Sequence, residues 1–316
     1  MRICLLFQAV LGLGFATPPD QESPTAIPEV VTTTLSRSFP GVKPEKIRAL
    51  EFHGLRLYES TMGESEAIVA ADGTLAAILT SAGTLPAPVA GGASGAAHGA
   101  KIEDARKVDA HARLTFSLLP RPVEIYSLSI SKDGRQGALK VAGDGTVIQP
   151  LEWARVRPGK RDPGESRTSA HGEQALPPAA VEALRKAFPE PALNEVESRS
   201  VLDAVVYDVE VISRLGERQV HVTHDGILVA IEQDAPAAAL PRAVLDAAAR
   251  AAGGLDACMA RKREIRAAAS LTRLEAPAVS YRLRAIRPTG RVLIDLGPHG
   301  ALLRPPLPLP AAAADE

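Results

Sequence analysis

Aromatic side chains are nearly missing from this chain of 316 residues: Phe, Trp and Tyr together make up 3%. Hydrophobic residues still reach 46%, so packed interiors have to be built from Ala, Val, Leu and Ile. A chain of this length exceeds what one core usually serves, which predicts several packing units. Cysteine is almost as scarce, with only Cys4 and Cys258. Cys4 lies in the apolar N-terminal run and would leave with it, so a mature chain keeps one thiol and forms no internal disulfide. Charge of one sign is lacking too: the formal net charge is -1, which offers a polyanion no bulk attraction and argues against a nucleic-acid partner. Beyond the N-terminus no apolar run is long enough to cross a bilayer, so no membrane span is expected.

The N-terminus itself, MRICLLFQAVLGLGFATPPD, carries one cation, Arg2, then an apolar run from Ile3 to Phe15, with Gly14 and Ala16 as small residues near a cleavage point. This is the pattern of a secretory signal peptide over residues 1–16, and it predicts a secreted or periplasmic protein.

What the chain does have is repetition. IPEVVTTTLSRSFPG begins at Ile27, LPPAAVEALRKAFPE at Leu176 and LPRAVLDAAARAAGG at Leu240. Each is an aliphatic-Pro pair followed by an amphipathic helix pattern; in the Leu176 copy Val181, Leu184 and Phe188 share one face and Glu182, Arg185 and Lys186 point away. Proline suits the first helical turn, where its missing N–H has no partner, and the Pro or Gly that follows stops the helix. Alternating runs come next. VVYDVEVI places Val205, Tyr207, Val209 and Val211 on one face, with Val206, Asp208 and Glu210 on the other. Asp-Gly pairs suited to tight hairpins recur as Asp72-Gly73, Asp144-Gly145 and Asp225-Gly226, and weakly as His299-Gly300.

The expected fold class is therefore α+β: tandem modules of roughly 60 to 70 residues, each a helix packed on a small antiparallel meander sheet. Module 1 covers residues 17–83, module 2 residues 101–153, module 3 residues 174–234 and module 4 residues 235–304. In the divergent second module KIEDARKVDAHARL reads as the helix, with Ile102, Ala105, Val108 and Ala112 inward. An Ala/Gly/Pro tract (84–100) and a charged stretch (154–173) read as linkers, and residues 305–316 as an extended Pro/Ala tail.

The order Leu-Pro, helix, Phe-Pro, a strand such as VVYDVEV and an Asp-Gly hairpin leading into an apolar strand resembles the PepSY-like repeats of exported bacterial proteins. Those repeats are related in fold to the modules of beta-lactamase inhibitory protein. The match is fullest from Leu176 to Gln233 and weakest in module 2. The resemblance implies export and a fold suited to binding or inhibiting other proteins, and it carries over no catalytic residues.

Chemistry is thin. His221 and His224 in HVTH would point to opposite faces of a strand, which does not suit one metal ion. Ser94 and His98 sit in a tract too loose for a catalytic pair, Glu64 and Glu66 on a hairpin edge read as solvated, and Cys258 reads as inert. No cofactor and no metal are expected, and the chain is read as not an enzyme. Charge is unevenly spread: Leu240 to Arg304 holds twelve Lys or Arg against five Asp or Glu, while Thr17 to Ala100 holds five against nine. Arg282 and Arg284 would share the solvent face of a sheet and could meet an anionic partner. The expected binding residues are thus Arg282 and Arg284 with the hairpin tips Asp72, Gly73, Asp144, Gly145, Asp225 and Gly226. The expected partner is another protein, a protease among the options; the alternative is an envelope scaffold held to an anionic surface by module 4. Trp153 reads as a clamp at the border of the two halves.

Overall fold

The computed structural model describes residues 27–97, 100–153, 170–171, 176–287 and 290–309. The segment read as a signal peptide lies outside them, as do most of the charged linker and the end of the Pro/Ala tail. The three repeated segments form α1 (Glu29–Ser38), α3 (Pro178–Ala187) and α4 (Arg242–Ala252). Each enters through a proline and buries one stripe: Val31 and Leu35 in α1, Ala180 and Leu184 in α3, and Val244, Ala247 and Ala248 in α4. Gly253, at φ 66°, caps α4 in the left-handed conformation that the sequence suggests.

The strands overturn the modular expectation. They are β1 (Lys46–Phe52), β2 (Leu55–Met62), β3 (Ser65–Ala70), β4 (Leu75–Ser81), β5 (Lys101–Lys132), β6 (Arg135–Ala142), β7 (Val147–Trp153), β8 (Ala170–His171), β9 (Ala192–Val201), β10 (Ala204–Ser213), β11 (Gly216–Thr223), β12 (Leu228–Ala235), β13 (Ala257–Arg287), β14 (Gly290–Leu296) and β15 (Leu307–Leu309). All belong to one 15-stranded antiparallel sheet in the order β1-β2-β3-β4-β5-β13-β12-β11-β10-β9-β8, with β6 and β7 added beside β5 and β14 and β15 beside β13. The chain is mostly strand in one large sheet, not a row of helix-on-meander modules. The cause is two strands of 32 and 31 residues, β5 and β13, several times the usual strand of about six. They pair with each other along almost their whole length and carry every other strand.

Three local expectations fall with the modules. KIEDARKVDAHARL is the start of β5, not a helix. Its short apolar residues fit a period of two as well as a helical period, and pairing with β4 on one side and β13 on the other decides the matter. Its charges find strand partners: Arg106 bridges Glu66 at 2.5 Å, and Lys107 bridges Asp109 at 2.9 Å. The tract read as a flexible linker contains α2 (Ala87–Ala97), whose Val89, Ala93, Ala96 and Ala97 are buried; small side chains let it lie close to the sheet. Part of the supposed extended tail is β15, paired with β14.

Helices and strands also exchange partners. Helices α1 and α3 cover the strands that follow them, in cores built on Tyr58 and Val69 and on Tyr207 and Val209. Helix α4 lies instead over Tyr126, Leu128, Ile130, Leu139 and Val141 of β5 and β6, with Trp153 of β7 at its border. Helix α2 lies over Leu283, Ala285, Ile294 and Leu296 of β13 and β14. The ribbon slips register three times: opposite Pro120 and Pro122 in β5 and beside Pro277 in β13, where proline supplies no donor to the ladder, and again between Arg284 and Ala285. A fifth core has no helix above it. Phe52, Ala77, Leu79, Val108, Leu114, Leu202 and Val206 meet there on the other face of the sheet, joining the first half of the chain to the second.

Candidate functional site

Alternation in β10 sends Tyr207, Val209 and Val211 under α3, so Asp208, Glu210 and Ile212 face the opposite, helix-free side. Pairing sets rows across that side. Asp208 stands opposite His221, Glu232 opposite Gln219 on one flank and Arg263 on the other, and Asp234 opposite Arg261. The rows continue onto β5 and β6 as Arg261 opposite Ser127, Met259 opposite Ser129, and Ser127 opposite Lys140.

The inner part of this face is a buried polar cluster. His221 Nε2 lies 3.5 Å from a Glu232 oxygen and 3.9 Å from Asp208. Arg263 Nε lies 3.4 Å from Glu232, and Arg261 approaches its other oxygen at 3.9 Å. Burial alone would raise the Glu232 carboxyl, but the hydrogen bond and charge of His221, with Arg263 and Arg261, hold it down at about 2. The turn between β1 and β2 closes over the cluster. His53 packs edge-to-face on His221, with centroids 5.3 Å apart, and on Phe116 at 5.8 Å, while Phe52 fills the fifth core beside it. Burial, then the positive charges of His221, Arg263 and Arg199, bring the His53 imidazole down to about 3, so it sits there neutral.

The outer part is open. Ile212 and Met259 are 44% and 55% exposed, large for apolar side chains on a sheet face. Around them stand Glu210, Glu217 and Asp234, then Arg261 on the neighbouring strand. A hydrogen bond shared with Glu210, and then the Glu210 charge, push the Glu217 carboxyl above its ordinary range. An acidic strip beside a cation, with two apolar residues between polar ones, can recognise a complementary protein surface; nothing in it supplies a nucleophile.

The residues singled out from sequence lie elsewhere and not together. The Asp-Gly tips are seats for helices. Gly73, Gly145 and Gly226 have φ of 83°, 89° and 87°, and a side chain there would run into Val30 of α1, the Ala243 carbonyl at 2.8 Å or the Ala179 carbonyl at 2.6 Å. The aspartates are exposed but hold their own turns. Asp72 accepts the Thr74 N–H at 2.8 Å, Asp144 the Thr146 N–H at 2.9 Å, and Asp225 the Thr223 hydroxyl at 2.5 Å.

Arg282 departs from the expected solvent face. It donates to Asp295 at 2.9 Å and to the Leu202 carbonyl at 2.6 Å, because the β9–β10 turn occupies that part of the sheet. Arg304 pairs with Asp295 from the other side and reaches Ser200 at 2.9 Å. Arg284 alone of the pair is exposed.

Sequence reasoning missed Glu232 and His53. His221 and Asp208 stand opposite each other because the two-residue turn Arg214-Leu215 sets the β10–β11 register. His53 comes from the other half of the chain and left no local trace.

The other candidates hold less. A cavity of about 260 Å³ at the end of α3 is lined by Phe188, Arg218, Lys262, Glu264 and Arg266. Its cations are already engaged: Lys262 with Glu124 at 2.5 Å, Arg266 with Glu264 at 2.7 Å, and Arg218 with Gln233 at 2.7 Å. Burial pushes the Cys258 thiol up, away from the reactive thiolate. His224 turns toward the Tyr207 hydroxyl at 3.5 Å. Among the described residues no group of three or more His, Cys, Asp or Glu is placed to hold a metal ion, and no helix is long and apolar enough to cross a membrane. Trp153 stacks under Arg135, whose guanidinium lies 4.6 Å from the ring. Compared with known family models and with curated proteins, the chain matches none.

Proposed function

We propose that this chain is an exported protein that acts by binding another protein, without catalysis, and that it inhibits or modulates its partner as a protease inhibitor would. The observation that carries the reading is the open outer face: Ile212 and Met259 exposed among Glu210, Glu217, Asp234 and Arg261 on rigid paired strands. The backbone of paired strands is already ordered, so docking there costs side-chain entropy but little backbone entropy. The perturbed groups nearby, His53 and Glu232, are packed against partners under a hairpin turn, as suits a scaffold. The resemblance to PepSY-like repeats adds a binding role, and the N-terminal pattern adds export.

The test is affinity capture with the mature chain, Thr17 to Glu316, from the organism's own extracytoplasmic fraction. A partner retained by this chain and by Arg284→Ala but lost with Met259→Glu supports the face; a partner indifferent to Met259→Glu refutes it. If the partner is a hydrolase, its activity should fall as the chain saturates it.

The second reading, a scaffold held to an anionic envelope surface by its basic last part, has Arg284 in its favour, exposed on β13. The arginines nearest it on β13 and β14 are engaged within the fold: Arg282 with Asp295, Arg291 with Glu103, and Arg287 with the Ala96 carbonyl. Envelope retention abolished by high salt would favour it.

A further inference from the structure

Besides the β5–β13 ribbon, two hairpin turns join the halves of the chain on the helix-free face, and one of them is held by ring contacts of an imidazole. We propose that the β1–β2 turn is an acid-released latch: the His53 ring, wedged against His221 over the helix-free face, is expelled when the surroundings acidify. This stands apart from the identity of any partner.

The surroundings leave little room for a positive charge on the His53 ring. His53 faces His221 from β11, Arg263 from β13 and Arg199 from β9, and among the acids Glu232 from β12 bears on it, with Asp208 of β10 behind His221. Phe116 of β5 and its own neighbour Phe52 are uncharged walls. On the hairpin itself Arg56 and Glu51 pair with each other at 3.7 Å. Glu232 is already shared among His221, Arg261 and Arg263 and has little left to offer a charged His53.

Among the described residues the backbone hold on the turn is slight: a hydrogen bond of 3.5 Å from the Ala269 N–H to the His53 carbonyl. His53 also carries φ of 50°, a conformation uncommon for a non-glycine residue. Release would uncover Phe52 and the fifth core, the one with no helix above it.

An imidazole neutral when docked and free to protonate when released makes the opening equilibrium grow about tenfold per pH unit below about pH 6.5. Hydrogen exchange of the full chain, corrected for intrinsic rates and run from pH 7.5 to 5, should show this rise in residues 46–62 and 265–271, while the turn at 201–204 keeps its protection. His53→Phe keeps an aromatic edge without a proton, and its opening equilibrium should stay flat over that range. A wild-type chain with no such rise, or a His53→Phe chain that retains it, overturns the latch. Should that variant fail to fold, the wild-type His53 ring is followed by NMR. A ring that titrates near pH 6.5 while residues 46–62 stay protected overturns it; one that stays neutral until the turn loses protection supports it.

Discussion

Two turns occupy equivalent places in the repeating halves, each five residues before a buried tyrosine, Tyr58 or Tyr207. His53 at φ 50° and Leu202 at φ 53° make the same bend, and both turns dock on the helix-free side, where the fifth core joins the halves. Their chemistry differs. The Leu202 turn is gripped by ions: Arg282 on its carbonyl, the Leu114 N–H on Asp203 at 3.1 Å, Arg304 behind, and Asp295 holding both arginines. The His53 turn is gripped by rings, with Phe116 and His221 at its edges and a long backbone bond. One bend can thus be fastened in two ways, by ion pairs or by the packing of rings. The first fastening is rigid and demands intact ion pairing; the second is conditional.

Breaking the ionic fastening should cost most. Asp295→Ala leaves Arg282 and Arg304 facing each other with no anion between them, and unfolding by urea should show a loss of about 3–5 kcal/mol. The next largest effect separates the turns by pH. His53 has a folded pKa below its unfolded one, so its contribution is complete above about 6.5 and shrinks as pH falls toward 3, by about 2 kcal/mol at pH 5. Glu232, also depressed, adds its loss only below about pH 4.5. Urea midpoints at pH 7 and pH 5 should therefore fall in the wild type and change much less in His53→Phe.

A smaller effect tests the helix seats against both turns. Gly226→Ala places a methyl at positive φ against the Ala179 carbonyl and should cost on the order of 1–2 kcal/mol in thermal unfolding, without altering the pH dependence. The smallest comes from the rim of the ionic joint. Arg113 reaches Asp203 at 3.3 Å with both side chains largely exposed, so Arg113→Ala should cost less than about 0.5 kcal/mol. A large loss there would mean that the grip is spread over all its arginines and not centred on Asp295.

Much of the local structure was legible. Helices α1, α3 and α4 follow from an apolar stripe behind a proline, and the alternation of VVYDVEVI puts Tyr207, Val209 and Val211 on the covered face and Asp208 on the other. Errors arose where short side chains left two periods open. Ala-rich residues 101–114 satisfy a helix and a strand about equally, and the Gly/Ala tract of α2 looks unable to pack until a sheet of Leu283 and Ile294 is set beneath it. Arg282 was placed correctly on its strand yet assigned to solvent, because nothing nearby in sequence announces the turn that covers it.

By itself, then, the sequence determined the short-range elements: where helices begin, which strand faces are apolar, where hairpins bend. Those depend on backbone conformations and periodicities set within a dozen residues. Only the tertiary structure decided that β5 and β13 run through as one ribbon, that α2 and α4 lie on each other's expected strands, and that His53 meets His221. These pairings join residues more than a hundred positions apart, and the free energy that selects them comes from sheet edges and apolar faces closing on partners that no local window contains.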